Sequence, residues 1–173
     1  MLKFREKNGF SLIGIIVATF IALVGLVAIL SLANTSLIGA ATSKNRLIAS
    51  GLTQEGIEIV RDIRASYADW TDWEWYSTTT PLFHSIGDSQ EYCIDYNDTV
   101  LNGCAGIYPP LKLNVVGMSS IYRYNVGDDT IFYRKVTLTR KNLDEVKVEV
   151  EVKWTIKGQT HTLVAEDRLW NWK

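Results

Sequence analysis

Histidine is scarce in this 173-residue chain: only His84 and His161 occur. His84 lies in a loop-like stretch and His161 sits between Thr160 and Thr162. Neither has a nearby nucleophile or a metal-ligand spacing, no Gly-rich phosphate loop is present and no paired acids stand out, so no enzymatic site and no cofactor are expected. The alternation of His161 with two threonines reads as a solvent-facing strand residue. Cysteine is limited to Cys93 and Cys104, and two cysteines without histidine partners argue against zinc. A basic excess is also lacking, with 18 Lys and Arg against 19 Asp and Glu, which gives no reason to expect direct nucleic-acid binding. Most informative is the absence of any charge from Phe10 to Ser43.

That charge-free stretch opens with the dense apolar block Phe10 to Ala33. As a helix it is long enough to cross a hydrocarbon core, which needs roughly 20 residues. Ahead of it stand Lys3, Arg5 and Lys7 against one acid, Glu6. Positive flanks resist translocation, so this end stays in the cytoplasm and whatever follows the apolar block lies outside. In a secretory signal peptide the cut falls beyond the apolar run, and the anchor is lost with it.

Gly9, Phe10, Ser11, Leu12 and Ile13, followed by the long apolar helix, resemble the class III signal of type IV prepilins and type II secretion pseudopilins. The resemblance implies that a dedicated membrane peptidase cuts after Gly9 and methylates the new amino group on Phe10. Loss of the leader would leave 15 basic and 18 acidic residues. It further implies an α+β, pilin-like fold: a leader at 1–9, a long helix at 10–67 whose 10–33 part sits in the bilayer and later in a filament core, and a β-rich head at 68–173. Phe10, Leu12, Ile13 and Gly14 would be filament-core residues. The implied partners are the prepilin peptidase, other pilin or pseudopilin subunits, an inner-membrane assembly platform and, before assembly, the lipid bilayer. The implied location is the cytoplasmic membrane, single-pass with the head outside, and then an extracellular pilus or pseudopilus.

The chain departs from the family at Gly14, where a glutamate, fifth in the mature chain, usually stands. In the family that glutamate neutralises the N-terminal ammonium of a neighbouring subunit inside an apolar core. Glycine cannot, and a buried unpaired charge is expensive. The departure points to a minor subunit, placed at a tip or initiating complex.

From Ser43 to Tyr67 the chain keeps a helical period. Ile48, Leu52, Ile59 and Ile63 form one apolar stripe, and Lys44, Arg46, Gln54, Glu58, Arg61 and Asp62 occupy the other faces. Joined to the apolar block, this gives one helix of roughly 85 Å at about 1.5 Å per residue. Gly14, Gly25 and Gly39 fit either a loosened helix or close helix approach in a membrane. The segment Gly51 to Arg64 and the tail Asp167 to Lys173 also resemble minor pilins of the PilV-like group.

Ala68 to Gln90 reads as a long surface connection crowded with Trp70, Trp73, Trp75, Tyr76 and Phe83. The favoured reading is that these aromatics cover the apolar stripe of the helix. The alternative makes Trp70, Trp73, Trp75 and Tyr76 a binding platform. Cys93 and Cys104 are expected to form one disulfide, because the head lies outside the cytoplasm. Asp95, Asp98, Asn102 and Gly103 faintly suggest calcium, but the spacing does not fit an EF-hand, and polar residues in tight turns are the commoner explanation. Asp128 and Asp129 after Gly127 also read as a turn.

Three successive antiparallel strands are expected at Phe132 to Thr139, Glu145 to Ile156 and Gln159 to Trp170. In the middle one Val146, Val148, Val150, Val152, Trp154 and Ile156 alternate with Lys147, Glu149, Glu151, Lys153 and Thr155, so one face is buried and the other wet. Lys157-Gly158 closes a hairpin. The central region, roughly Trp70 to Asn125, carries no recognisable motif. Three functions are compatible with the whole: a filament subunit, a filament-tip adhesin-like module using the aromatic loop, and a plain membrane-anchored surface protein.

Overall fold

The computed structural model describes residues 12–74, 83, 85–104, 108–117 and 119–171. The chain divides into two compact units, Met1–Asn45 and Arg46–Lys173. Helix α1 runs from Leu12 to Ser66. Its residues up to Asn45 make up the described part of the first unit.

The second unit is α+β: the amphipathic end of α1 packs on antiparallel sheet. After α1 come a short helix α2 (Trp70–Glu74) and strands β1 (Ser89–Tyr92), β2 (Lys112–Val116), β3 (Ser119–Arg123), β4 (Asp128–Asp129), β5 (Phe132–Asn142), β6 (Glu145–Ile156) and β7 (Gln159–Trp170). One sheet has the order β1-β5-β6-β7 and a smaller one the order β3-β2-β4. All pairings are antiparallel.

The expected stripe on α1 is the face that packs. Leu52, Ile59 and Ile63 are buried and Ile48 is half-buried, while Lys44, Arg46, Gln54, Glu58, Arg61 and Asp62 are exposed. Opposite them, the inward side chains of β6 from Val146 to Trp154 are all buried, as their alternation requires. Two apolar clusters result. Ile59, Val60 and Ile63 meet Val136, Leu138, Val146, Val148 and Val150, and nearer residue 46 Ala49 and Leu52 meet Phe132, Val152 and Trp154. Gly56 lies between these groups, where an added Cβ would stand 2.8 Å from Val150 Cγ1. Glycine is what lets the helix backbone come this close to the sheet.

The three C-terminal strands match the expected ones, except that β5 continues to Asn142 through a bulge between Arg140 and Asn142. The β6–β7 turn holds Lys157 at φ 49° and Gly158 at φ 80°, both in the left-handed region that a two-residue hairpin with native twist needs. Asp128 and Asp129 are strand rather than turn: they pair with Leu113 and Lys112. The bend precedes them, at Gly127, whose φ of 121° and close approach to the Leu113 carbonyl leave no room for a side chain. The central region supplies β1, β2 and β3, which no alternation in the sequence announced.

Candidate functional site

The feature that sets this chain apart is the surface of α1 in the first unit. Every described residue from Leu12 to Ala41 is exposed, including Phe20, Ile29 and Leu32. Its most apolar 18-residue window has a mean hydropathy of 3.0 and none of it is buried, so this is not the core helix of a folded domain. The helix is long and apolar enough to cross a membrane.

Three threonine side chains on this segment bond within the helix. Thr19 donates to the Ile15 and Ile16 carbonyls at 3.0 and 2.9 Å, Thr35 to Ser31 and Thr42 to Ile38, each at 3.0 Å. Such bonds suit hydrocarbon, where no water offers a partner. Leu12, Ile13 and Gly14 lie in the first turn, exposed, and Gly14, Gly25 and Gly39 have open space where a Cβ would be. Gly9 and Phe10 lie outside the described residues.

In the second unit the aromatic segment divides. Trp70 and Trp73 are buried, at 5% and 0% exposure, with ring centroids 5.1 Å apart. Trp70 Nε1 donates to the Leu143 carbonyl at 3.0 Å, and the Arg64 guanidinium lies over both rings. These two residues therefore follow the favoured reading and cover the end of the α1 stripe, and the alternative of a binding platform is corrected for both. Phe83 is buried in the same cluster. Trp75 and Tyr76 lie outside the described residues.

Cys93 and Cys104 form a disulfide. Beside it the Cys93 N–H donates to the Asn102 carbonyl at 2.9 Å and Tyr92 bridges to Gly103. The segment between them folds over a cavity of about 340 Å³ lined by Asp95, Asp98, Asn102, Pro109, Tyr124 and Asn125. Burial pushes the Asp95 carboxyl above the usual carboxylate range, against the Tyr124 N–H that donates to its Oδ2 at 3.3 Å.

Sequence reasoning missed a buried cation. Arg134 is fully buried on β5, with Nη1 3.0 Å from Glu55 Oε1 and Nη2 donating to the Ile94 carbonyl at 2.7 Å. The signal was present in the alternation: Phe132, Val136 and Leu138 point inward, so Arg134 must as well. His161 is corrected by the same rule. Its partner Trp154 faces the helix, so His161 is half-buried and stacked on Trp154 at 5.4 Å, while Thr160 and Thr162 are exposed.

The opposite face of the sheet is ionic. Tyr108 donates to Glu91, and Lys135 Nζ lies 3.0 Å from the same carboxylate. The Tyr108 hydroxyl and Lys135 hold Glu91 below the usual carboxylate range, while burial and Glu91 push Tyr108 up to about 12. A groove of about 570 Å³ between α1 and β7 holds two ion pairs, Arg61 with Asp167 at 2.9 Å and Arg168 with Glu145 at 2.6 Å, and is also lined by Arg64. Among the described residues no three His, Cys, Asp or Glu side chains gather as a metal cluster. No known protein family, curated protein or solved structure matches the chain.

Proposed function

We propose that this chain is a minor pilin or pseudopilin-type structural subunit, cut after Gly9 and assembled through its apolar helix into a type IV pilus or a related filament. The observation that carries the reading is the charge-free surface of α1, exposed from Leu12 to Ala41, which follows the Gly9-Phe10-Ser11-Leu12-Ile13 signal in a helix whose later stripe packs on the sheet. In the bilayer that surface meets lipid. Extraction into a filament exchanges lipid contacts for the same segment of neighbouring subunits, so the helix serves two apolar environments in turn.

Gly14 supports a position where no preceding subunit offers an ammonium to neutralise. The buried Arg134, tied to Glu55 on α1, supports transmission of pull from helix to head, since it joins the two through a charged hydrogen bond. The partners on this reading are the prepilin peptidase, fellow subunits and the assembly platform.

The test is the N-terminal mass of protein recovered from membranes of a host with the peptidase, wild type beside Gly9→Val. The expected result is a wild-type chain beginning at Phe10 with one added methyl, and a variant that retains residues 1–9. An intact N-terminus in both would leave a plain signal anchor and end the filament reading.

A further inference from the structure

We propose that the outer edge of β7, with the groove between it and the end of α1, docks an extended acidic segment of a partner protein. The segment adds to the sheet beside β7 and sets a carboxylate on Arg64. β7 is an outermost strand, with β6 on one side only. On the other side its N–H and C=O groups have no main-chain partner among the described residues from Gln159 to Trp170. Folded proteins commonly guard such an edge with a bulge, a proline, a lysine or shortness. β7 runs for 12 residues without proline or lysine and pairs with β6 without a register shift, so none of these guards is present.

The charge of the groove specifies what can pair there. Arg61, Arg64 and Arg168 line it against one acid, Asp167. Arg61 is engaged with Asp167 and Glu58, and Arg168 with Glu145. Arg64 makes no ion pair among the described residues. Its Nη1 donates only to the Tyr67 carbonyl, at 3.4 Å, and its guanidinium lies 5.2 and 5.9 Å from the Trp70 and Trp73 ring centroids. The two indoles hold the half-buried guanidinium in place without neutralising it. A carboxylate matches such a planar fork with two parallel hydrogen bonds.

The edge and the groove meet at the same residues. Asp167 and Leu169 are successive inner-side residues of β7 and also line the groove. A strand paired with β7 at this level turns every second side chain toward the α1 side, into the space beside Arg64 and Ala65. An acid at that position reaches the one lining arginine that has no carboxylate of its own. Leu169 and Trp170 add apolar contact to the stem of the same side chain. In strand addition of this kind, main-chain bonds along the edge supply affinity and the pockets for alternate side chains supply selectivity. Because Arg64 is already held by the indoles, little ordering is left for binding to accomplish.

The experiment pans the full chain in detergent against a phage-displayed library of random peptides about nine residues long, the length of a long strand, after removal of phage that bind empty micelles. Enriched peptides should be rich in β-branched residues and share an Asp or Glu. Made synthetically, they should bind Arg64→Gln at least about tenfold more weakly than wild type and lose affinity as salt is raised. Arg64→Lys, which keeps the charge without the fork, should fall between the two. Melting curves of both variants without peptide separate lost binding from lost structure. In wild type, bound peptide should slow amide hydrogen exchange along β7, a readout that needs no variant to fold. No enrichment over the bare library, enriched peptides without a shared acid, or equal binding to folded Arg64→Gln overturns the proposal. So does binding that leaves exchange along β7 unchanged, which would reduce the groove to a site for carboxylates alone.

Discussion

Arg134 Nη1 on β5 lies 3.0 Å from Glu55 Oε1 on α1, and the arginine is fully buried while the glutamate side chain keeps 33% of its exposure. The pair is asymmetric. Removing the arginine strips Ile94 of its hydrogen-bond donor and leaves a cavity, whereas removing the glutamate leaves a buried cation with water nearby. Arg134→Ala is expected to cost about 3 kcal/mol and Glu55→Gln about 1–2 kcal/mol. Arg134→Met, which refills the volume, should recover part of the loss. Thermal and urea unfolding of the three variants would decide, and equal losses for Arg134→Ala and Glu55→Gln would contradict the asymmetry.

Gly56 and Val150 form a contact that no larger residue at position 56 can preserve. Gly56→Ala should gain about 1 kcal/mol of helix propensity and lose more than that to overpacking, because the Val150 methyls are buried and stiff. Combining it with Val150→Ala should give a double variant less destabilised than the sum of the singles by at least about 1 kcal/mol. Gly51, exposed on the same helix with open space around it, is the control: Gly51→Ala should stabilise by up to about 1 kcal/mol.

Cys93 and Cys104 are 11 residues apart, a loop for which cross-linking contributes about 3 kcal/mol on the chain-entropy view. The paired Cys93→Ser, Cys104→Ser variant should lose about that much and become indifferent to reductant. Melting curves with and without dithiothreitol would show it. A wild-type chain equally indifferent would mean that the bridge adds nothing.

Asp95 predicts a pH dependence of definite sign. Burial raises its carboxyl in the folded chain, so between the unfolded and the folded value the native state holds more protons than the unfolded one. Stability should therefore fall as pH rises through that window and level off above it. Asp95→Asn should remove this component, so the difference between wild type and variant should drift against wild type on going from acid to neutral pH. Glu91 and Glu149 act oppositely: lowered in the folded chain by Tyr108 and Lys135 and by Lys147, they stabilise above their unfolded values and lose that contribution in acid. A wild-type minus Asp95→Asn difference that is flat with pH would sink the assignment.

Much of the second unit could be read from the sequence because its periods are strong. The β6 alternation and the α1 stripe each oppose apolar and charged faces, so register and burial follow directly. What escaped was of two kinds. Arg134 draws no notice in the sequence and His161 reads as solvent-facing between its two threonines, although parity with the buried residues of the strands places both on the inner face. The strands β1 to β4 could not be seen, because they are two to five residues long and their patterns are mixed, with polar side chains held by pairing rather than by periodic burial. Trp70 and Trp73 belong to neither group: burial by area outweighed the appeal of a surface platform.

The hairpin at Lys157-Gly158 also sets an order of events. Twelve consecutive pairs, from Ile156 with Gln159 out to Glu145 with Trp170, close behind a two-residue loop without a bulge. Each pair added brings its strands together for almost no extra loop entropy, whereas β1 must find β5 across some forty residues of intervening chain. Refolding should therefore begin at the carboxyl end of the chain and travel toward the disulfide. Gly158→Ala, strained at φ 80°, should slow refolding more than it hastens unfolding. During synthesis the amino-terminal helix would leave the ribosome long before the segment that starts the head.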